Sequence, residues 1–478
     1  MTADIPPIQP SPEAQSPHQS ALADTPSNTA AMSSRTTTAS KGGSPFVLLP
    51  SEILYMVLSM LSAPDLAAMS CTCRHILKHT LNDIIWMDLV NSNLPNPLSD
   101  PAPFDSWREL YISQYPMWFV ARNKIWFSDV RDTGKLIVTR YNPRKCAIEG
   151  YRVVAKHTFH QFETWPYDTE VLVHSFKPDV TLWMDDPVIY LDKFIPSPSK
   201  RAMNWRFGEI RMPMPLEAQR VFSNFILCGK MKQEDMENPE KDVWPPRLIP
   251  SNDRADVSSC NPKESGLEGY EDICESAFHT RRWAQLGNFG AVFDGNNSRH
   301  GIATFASLQP ELYTPTSEKP YQGIWVGDYS GHGSEYLLVL QRGDTFSMDD
   351  EHQGTDDGSS SSMHSSSDSS SSFAPQGRLE AIKLTGDPNV PRGEISFFAE
   401  DIGPKGLIRI ADEDLFSGAR VIRGQGHIAS TNFRDDKFIP AQLFLITHDC
   451  MALFWEELKH ISYYRRVDVD SLLSQELD

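Results

Sequence analysis

Residues 321–340 read YQGIWVGDYSGHGSEYLLVL and contain two apolar runs, Gly323–Tyr329 and Glu335–Leu340, on either side of a short glycine-bearing segment. Gly331 and Gly333 can adopt the positive φ angles of a tight turn between antiparallel strands. Short runs rich in Val, Ile, Leu, Trp and Tyr are typical of β-strands. This stretch therefore predicts a β-hairpin.

The same pattern recurs over most of the chain beyond residue 121. Further runs rich in β-forming residues and separated by Gly, Pro, Asn or Asp lie at residues 135–141, 150–155, 171–176, 188–191, 379–384, 394–398, 418–423, 442–447, 451–455 and 461–467. Many short strands without long intervening helices favour a β-barrel or a sandwich, and a closed barrel leaves no strand edge unpaired. We expect residues 121–478 to form a large, mostly-β, barrel-like domain.

The segment before this region has a helical pattern instead. Three apolar stripes with the spacing of amphipathic helices follow Pro50. The stripes are carried by Ile53, Leu54, Val57, Leu58 and Leu61, by Leu66, Met69, Cys73, Ile76 and Leu77, and by Ile84, Ile85, Trp86 and Leu89. Three helices within residues 45–92 bury little surface alone, so this module needs apolar contact with a partner or a neighbouring domain. Residues 93–120 are expected to form a helical linker, and the predicted fold class is α+β multidomain.

Two segments have compositions that do not support a folded core. Residues 1–44 are dominated by Ser, Thr, Pro, Ala and Gln, and residues 347–376 combine an acidic cluster with a serine-rich tract. Such compositions cannot offset the entropy of ordering the chain, so we expect a disordered tail and a disordered, low-complexity insert. Because the insert lies between two strand-like runs, it should expand a hairpin loop and not separate two domains.

Composition argues against several classes of function. The 478 residues carry a formal charge of -19 at pH 7, which opposes binding to a phosphate backbone, so we expect no nucleic-acid partner. No apolar run reaches the ~18 residues of a membrane helix, and residues 1–44 lack a secretory signal pattern. We therefore expect no membrane association and a cytoplasmic or nuclear location. Seven cysteines without zinc-ligand spacing predict neither a metal site nor a disulfide framework.

Three motifs resemble catalytic or cofactor-binding sequences but are better interpreted as structural. Gly424–Ala429 matches a dinucleotide-binding fingerprint by letter, yet a polar segment and no helical pattern follows it. His448–Cys450 fits a hairpin turn better than an acid–base pair. The acidic cluster Asp349–Asp357 departs from the calcium-loop template. We expect no catalytic residue, no metal, no cofactor and no enzymatic activity.

Residues of the helical module resemble a known family in order and over nearly its whole length. The string Leu49–Leu54, Val57–Leu61, Pro64–Leu66, Cys73–Arg74 and Trp86 resembles the F-box. Thr72 departs from the family, which commonly has an apolar residue there. The resemblance implies docking to a Skp-type adaptor and, through it, to the cullin and RING subunits of an SCF-type ubiquitin ligase. The residues implied in adaptor contact are Leu49, Pro50, Ile53, Leu54, Leu58, Leu61, Pro64, Leu66 and Trp86.

A second resemblance covers the β-rich region. Tyr321–Tyr329, Lys383–Gly393 and Gly424–His427 resemble the cyclin-D-binding β-barrel domain of a family of F-box-only proteins, of which this chain looks like a fungal-like member. The resemblance implies a substrate receptor that holds a short peptide segment of its target in the barrel, for ubiquitination and proteasomal degradation. The alternative is an F-box tethering protein that acts outside a ligase.

Residues on or beside the predicted turns are candidates for the peptide pocket. Trp325, Tyr329, His332, Asp387, Asn389 and Arg392 combine aromatic anchors with the polar groups that capture of a short peptide requires. Alternatively, Trp325 and Tyr329 belong to the core, while Asp387 and Asn389 stabilise their own turn. The net negative charge favours target segments that are basic.

Overall fold

The computed structural model describes residues 45–156, 162–192, 209–214, 221–257, 267, 269–286, 289–291, 301–343 and 375–475. The tail at 1–44 and nearly all of the insert at 347–376 lie outside these ranges, so their disorder stays a prediction. Within the described ranges, no helix combines the length and apolar character needed to cross a membrane.

The N-terminal module is helical, as expected. After a 3-10 turn at Pro45–Leu48, its helices are α1 Ser51–Leu58, α2 Ala63–Ser70, α3 Arg74–Thr80 and α4 Asp83–Asn91. The second predicted stripe is divided between α2 and α3. The Thr72 hydroxyl donates to the Met69 carbonyl at 2.7 Å, and side chains that compete for backbone acceptors favour helix ends. Helix α4 begins with an N-cap, since Asn82 Oδ1 accepts from the Ile84 N–H at 3.1 Å.

Two helices, α5 Trp107–Gln114 and α6 Trp118–Arg122, link this module to the β-rich region. Three short helices lie further along the chain, α7 Gln233–Glu237, α8 Pro310–Tyr313 and α9 Val469–Ser474. The Trp86 and Tyr111 rings lie 5.5 Å apart between α4 and α5, and Trp118 Nε1 donates to the Tyr111 carbonyl at 2.8 Å. The helical module is therefore continuous with the core of the rest of the chain.

The described strands begin directly after α6. They are β1 Ile125–Ser128, β2 Leu136–Asn142, β3 Ala147–Lys156, β4 Phe162–Trp165, β5 Asp168–His174, β6 Asp179–Leu182, β7 Ile189–Leu191, β8 Glu209–Met212, β9 Val221–Gly229, β10 Val243–Trp244, β11 Ala255–Asp256, β12 Ile273–Leu286, β13 Phe289–Ala291, β14 Ile302–Ser307, β15 Gly323–Asp328, β16 Ser334–Arg342, β17 Arg378–Lys383, β18 Ile395–Ala399, β19 Leu407–Ile410, β20 Arg420–Ser430, β21 Arg434–Thr447, β22 Cys450–Trp455 and β23 His460–Arg466. The hairpin predicted from residues 321–340 is β15–β16.

A ten-stranded sheet lies between the helices and the second β-unit. Its main order is β6–β3–β2–β1–β14–β12–β9–β8, with β7 beside β3 and β13 beside β12. Successive side chains of a strand point to opposite faces. Accordingly, Trp126 packs with the helices in one core cluster, whereas Ile125 and Phe127 pack against the second unit in another.

The second unit is a closed, eight-stranded barrel, which confirms the predicted barrel architecture. The ring runs β15–β16–β17–β18–β20–β21–β22–β23 and returns to β15, and each pairing in it is antiparallel. Closure is made by Trp325–Gly327 against Tyr464–Arg466. Arg342 at the end of β16 pairs with Arg378 at the start of β17, so the insert expands a hairpin loop as expected.

Close packing fills the barrel interior. A Cβ at Gly327 would lie 2.4 Å from the Tyr464 ring, and a Cβ at Gly426 would lie 2.3 Å from the Trp455 ring. Both positions therefore require glycine, because real Cβ atoms do not approach a ring so closely. The apolar interior side chains include Leu337, Val339, Phe397, Leu443 and Leu453.

A hairpin of β4 and β5 extends the barrel wall beyond the closed ring. β5 pairs in parallel with the start of β23, with Leu172 opposite His460 and Val173 opposite Ile461. Trp165, Val171 and Val173 pack with the outer face of the barrel. The hairpin is thereby anchored beside one end of the barrel.

Candidate functional site

A cavity of about 350 Å³ lies at the end of the barrel where β15, β17 and β22 end and β16 and β23 begin. Trp455, His427 and His460 supply aromatic and imidazole surface, and Lys383 and Asp387 supply charged groups. We refer to it as the mouth cavity. Its mixture of rings and convergent polar groups is typical of sites that bind small ligands or short peptide segments.

Four of the six residues predicted for the pocket line the mouth cavity. They are Tyr329, His332, Asp387 and Asn389. Tyr329 and His332 lie on the β15–β16 connection, and Asp387 and Asn389 lie on the β17–β18 connection. The barrel topology brings these two loops to the same end, because β15 and β17 run in the same direction in an up-and-down barrel.

Trp325 lies elsewhere, in the barrel core. Its side chain is fully buried, and its Nε1 donates to the Tyr321 carbonyl at 3.0 Å. The Arg466 guanidinium lies 4.9 Å from the centre of its ring. Trp325 is therefore a core residue, as the alternative interpretation of the sequence predicted.

Arg392 also lies away from the mouth cavity, between the barrel and the ten-stranded sheet. Its Nε donates to the Val130 carbonyl at 3.0 Å and its Nη2 to the Asp129 carbonyl. Its guanidinium stacks 4.4 Å from the centre of the Trp244 ring. These contacts use the fork of the side chain to join the two β-units.

The charged centre of the mouth cavity is a buried lysine between two carboxyl groups. Lys383 Nζ lies 2.7 Å from Glu335 Oε2 and 2.7 Å from Asp387 Oδ2, with 2% of the lysine side chain exposed. The ammonium also lies 4.4 Å from the centre of the Tyr329 ring, a cation–π contact. Asp387 Oδ1 accepts from the backbone N–H groups of Asn389 and Val390 at 2.6 and 3.0 Å.

The two carboxyl groups have opposite protonation tendencies. Burial raises the pKa of Glu335 well above that of a free carboxyl, against the opposing charge of Lys383. Burial alone would raise the pKa of Asp387 too, but the hydrogen bond with Glu335 and the charge of Lys383 outweigh it and lower the pKa to about 2. Burial therefore favours the protonated form of Glu335, while Asp387 keeps its negative charge beside Lys383.

Imidazole rings form one side of the mouth cavity. His427 Nδ1 lies 2.8 Å from the Ile395 carbonyl and Nε2 lies 3.2 Å from Asp436. Burial and the neighbouring charge of His174 lower the pKa of His460 to about 4, so this ring is neutral near pH 7. Among the described residues, no group of three or more His, Cys, Asp or Glu side chains is placed to hold a metal ion.

The nine residues implied in adaptor contact divide by exposure. Pro50, Ile53 and Pro64 are exposed, and Leu49 and Leu61 are half-buried. The remaining four, Leu54, Leu58, Leu66 and Trp86, are buried and hold the helices together. Trp86 Nε1, for example, donates to the Thr80 carbonyl at 2.8 Å.

Three exposed apolar residues beside Ile53 were missing from that set. Met56, Val57 and Met60 are 61%, 37% and 86% exposed. The signal lay in the spacing from Ile53, since positions i, i+3, i+4 and i+7 share one face of a helix. Helix α1 thus has an inner apolar face with Leu54 and Leu58. Its outer face carries Ile53, Met56 and Val57, and Met60 follows in the turn after the helix; we name these four residues the outer α1 stripe.

Two protein-family models match the chain. Residues 46–92 match the F-box-like family, and residues 305–471 match the Cyclin D1 binding domain family. The two matches support an F-box protein. F-box proteins are in general non-catalytic substrate adaptors that bind a Skp-type partner. The first match covers the F-box-like module with the outer α1 stripe, and the second covers the barrel with the mouth cavity.

Curated relatives are similar over shorter stretches. Protein EXECUTER 2, chloroplastic, of Arabidopsis thaliana is 31% identical over 137 residues, 28% of this chain and 18% of that protein. Its namesake from Oryza sativa subsp. japonica is 27% identical over 128 residues, 27% of this chain and 17% of that protein. The chain thus spans less than a fifth of the length of these relatives. They are plant proteins, and the fungal-like character of the chain stays a prediction.

Proposed function

We propose that this protein is a non-catalytic substrate receptor of an SCF-type ubiquitin ligase. In this proposal the F-box-like module docks a Skp-type adaptor and thereby the cullin and RING subunits. The barrel holds a peptide segment of the target at the mouth cavity. The receptor then contributes proximity between the target's lysines and the ubiquitin-conjugating enzyme, without bond chemistry of its own.

The outer α1 stripe is the observation that carries the proposal. Ile53, Met56 and Val57 expose apolar side chains on one face of α1, and Met60 adds another in the turn that follows. Contiguous apolar surface on a folded protein marks a site of interaction, and methionine side chains adapt easily to a partner. Leu81 and Ile84, each 51% exposed at the junction of α3 and α4, add apolar surface to the same module.

The electrostatics of the mouth cavity favour a particular kind of target segment. The Lys383 ammonium is already held between two carboxyl groups, so it is poorly placed to receive a carboxylate of the peptide. The imidazole rings provide hydrogen-bond acceptors instead. Target segments rich in donors, such as amide or basic side chains, fit this cavity better than acidic ones. The net charge of -19 also favours basic target segments.

Adaptor binding by the full-length chain tests whether the F-box-like module docks a Skp-type adaptor. A Met56→Glu/Met60→Glu double variant should weaken binding to purified Skp-type adaptor by roughly 30-fold or more, because the interface would bury unpaired charge. Biolayer interferometry measures the dissociation constants. Ile410→Glu is a matched control, since Ile410 is 52% exposed on β19, and its binding should equal that of the wild type. Equal binding by the double variant would refute the docking model.

Target lifetime separates a receptor from a tethering protein. A target protein whose peptide segment binds the barrel should have a longer lifetime in cells that lack the chain. The same should hold in cells that contain only the Met56→Glu/Met60→Glu variant. An unchanged lifetime, together with intact adaptor binding, would favour the tethering alternative.

A further inference from the structure

The inner face of the β4–β5 hairpin continues the wall of the mouth cavity. In a parallel pair, residues in register direct their side chains to the same side of the sheet. Leu172 is in register with His460, whose ring lines the cavity. Val173 is in register with Ile461, and both pack with the outer barrel cluster. Leu172 therefore lies on the cavity side of the hairpin.

A row of rings connects the cavity to the outer strand of this hairpin. The His460 and His174 rings lie 5.3 Å apart, and the His174 and Phe162 rings lie 4.8 Å apart. Phe162 is also the cross-strand partner of His174. The row thus steps from β23 to β5 and from β5 to β4, with each ring on the same side of the sheet.

This surface is apolar and accessible. Phe162 is 56% exposed and Leu172 is 44% exposed, and Leu458 on the rim of the cavity is 49% exposed. We name these three residues the hairpin strip. Leu172 N–H donates to the Lys459 carbonyl at 3.0 Å, so the loop that carries Leu458 is tied to the hairpin. The strip is a continuation of the mouth cavity and not a separate patch.

We propose that the hairpin strip is a second subsite of the barrel, which binds an apolar side chain of the same target peptide that fills the mouth cavity. The inference rests on the proposed function, because it assumes that the mouth cavity holds a peptide. Two of its three residues, Phe162 and Leu172, lie outside the closed ring of the barrel and outside residues 305–471, which match the family model.

The spacing of the two subsites follows from strand geometry. Neighbouring strands lie about 4.8 Å apart, so Phe162, two strands from His460, is roughly 10 Å away from it. An extended peptide advances about 3.3 Å per residue. The apolar side chain should therefore be about three residues away from the residue that occupies the mouth cavity.

Because the mouth cavity and the hairpin strip are continuous, a target peptide is a better occupant of the strip than a second copy of the chain. A peptide leaving the mouth cavity on the side of His460 meets the hairpin strip first, because the hairpin extends that wall. Leu172 and Phe162 also lie on the cavity-facing side of the hairpin, within reach of a peptide chain that already occupies the cavity.

Selection from a random peptide library tests the inference. Twelve-residue peptides displayed on phage would be selected on the immobilised full-length chain, and the enriched sequences synthesised with a fluorophore. Anisotropy would then give dissociation constants for four proteins. These are the wild type, the strip variant Phe162→Ser/Leu172→Ser, the cavity variant His332→Ala/Asn389→Ala, and the control Ile408→Ser/Ile410→Ser on β19.

We expect both the strip variant and the cavity variant to bind at least tenfold more weakly than the wild type, and the control to bind equally. The enriched peptides should share an apolar residue about three positions from their cavity anchor. Replacing that residue by Ser should weaken binding to the wild type but not to the strip variant. Full binding by the strip variant, with weak binding by the cavity variant, overturns the inference and leaves the proposed function standing. An absence of any peptide sensitive to the cavity variant overturns both.

Discussion

At the scale of single residues, the mouth cavity depends on three buried ionisable groups that contact one another. Lys383, Glu335 and Asp387 are each almost completely buried, and isolated charges at such positions are costly. Protonation of Glu335 reduces that cost, because one carboxylate and one ammonium remain and they face each other. The same arrangement makes the stability of the barrel depend on pH.

Glu335→Gln tests this arrangement. Because the folded pKa of Glu335 is raised, its stabilising contribution is complete below the unfolded pKa of about 4.3 and is lost as the pH rises through the folded pKa. Gln does not titrate, so the variant should gain stability relative to the wild type as the pH rises above about 5. Urea unfolding at a series of pH values measures the difference.

Glu380→Gln is the matched control for that experiment. Burial opposes ionisation of Glu380, but hydrogen bonds from Arg342 and Arg378 outweigh it and lower its pKa. Its contribution is present above the unfolded pKa and is lost as the pH falls through the folded pKa. The difference between this variant and the wild type should therefore be constant above about pH 5. A constant difference for Glu335→Gln as well would contradict the protonated state of Glu335.

At the scale of elements, strands of the barrel were predictable because their apolar runs are bounded by turn residues. β15, β16, β22 and β23 follow this rule, and their hairpins fix the ring. β12 of the ten-stranded sheet was not predicted, since its run includes His279, Arg281 and Arg282. The fold supplies a partner for such a charged side chain: the Arg281 guanidinium, for instance, lies 2.9 Å from the Glu209 carboxylate on β8.

The candidate site was predictable only in part, for a related reason. Sequence placed Tyr329, His332, Asp387 and Asn389 on turns, and barrel topology then brought those turns together. Trp325 lies within strand β15. Whether a strand side chain is buried depends on which face of the strand becomes the interior of the barrel. The role of the β4–β5 hairpin was not visible, because its parallel pairing with β23 joins segments almost three hundred residues apart.

Gly426→Ala tests the packing of one element against another. Gly426 on β20 lies under the Trp455 ring, with a hypothetical Cβ 2.3 Å from it. The added methyl group should displace this ring, which lines the mouth cavity, and lower the free energy of unfolding by about 1–3 kcal/mol. Gly331→Ala is the control, since a Cβ there meets nothing within 4 Å. Urea unfolding of both variants makes the comparison, and equal stabilities would show that the ring moves freely.

At the scale of the whole molecule, the ten-stranded sheet joins the F-box-like module to the barrel. Its helix-facing side packs with Trp86 and Trp118, and its other side packs with outward-facing barrel residues such as Ile324 and Leu338. In the proposed receptor, this shared core would fix the distance between the bound adaptor and the bound target. Such rigidity favours productive orientation of the two.

Substitution of Arg392 tests whether the contact between the two β-units and the mouth cavity are independent of each other. Arg392→Met would leave the Asp129 and Val130 carbonyls without their guanidinium donors and remove the stacking on Trp244. The free energy of unfolding should fall by about 2–4 kcal/mol. Because Arg392 does not line the mouth cavity, the folded variant should bind the selected peptides as tightly as the wild type. Arg392→Lys should recover little stability, since an ammonium lacks the planar fork that reaches both carbonyls. Weaker peptide binding without a loss of stability would instead assign Arg392 to the peptide site, as the sequence pattern first indicated.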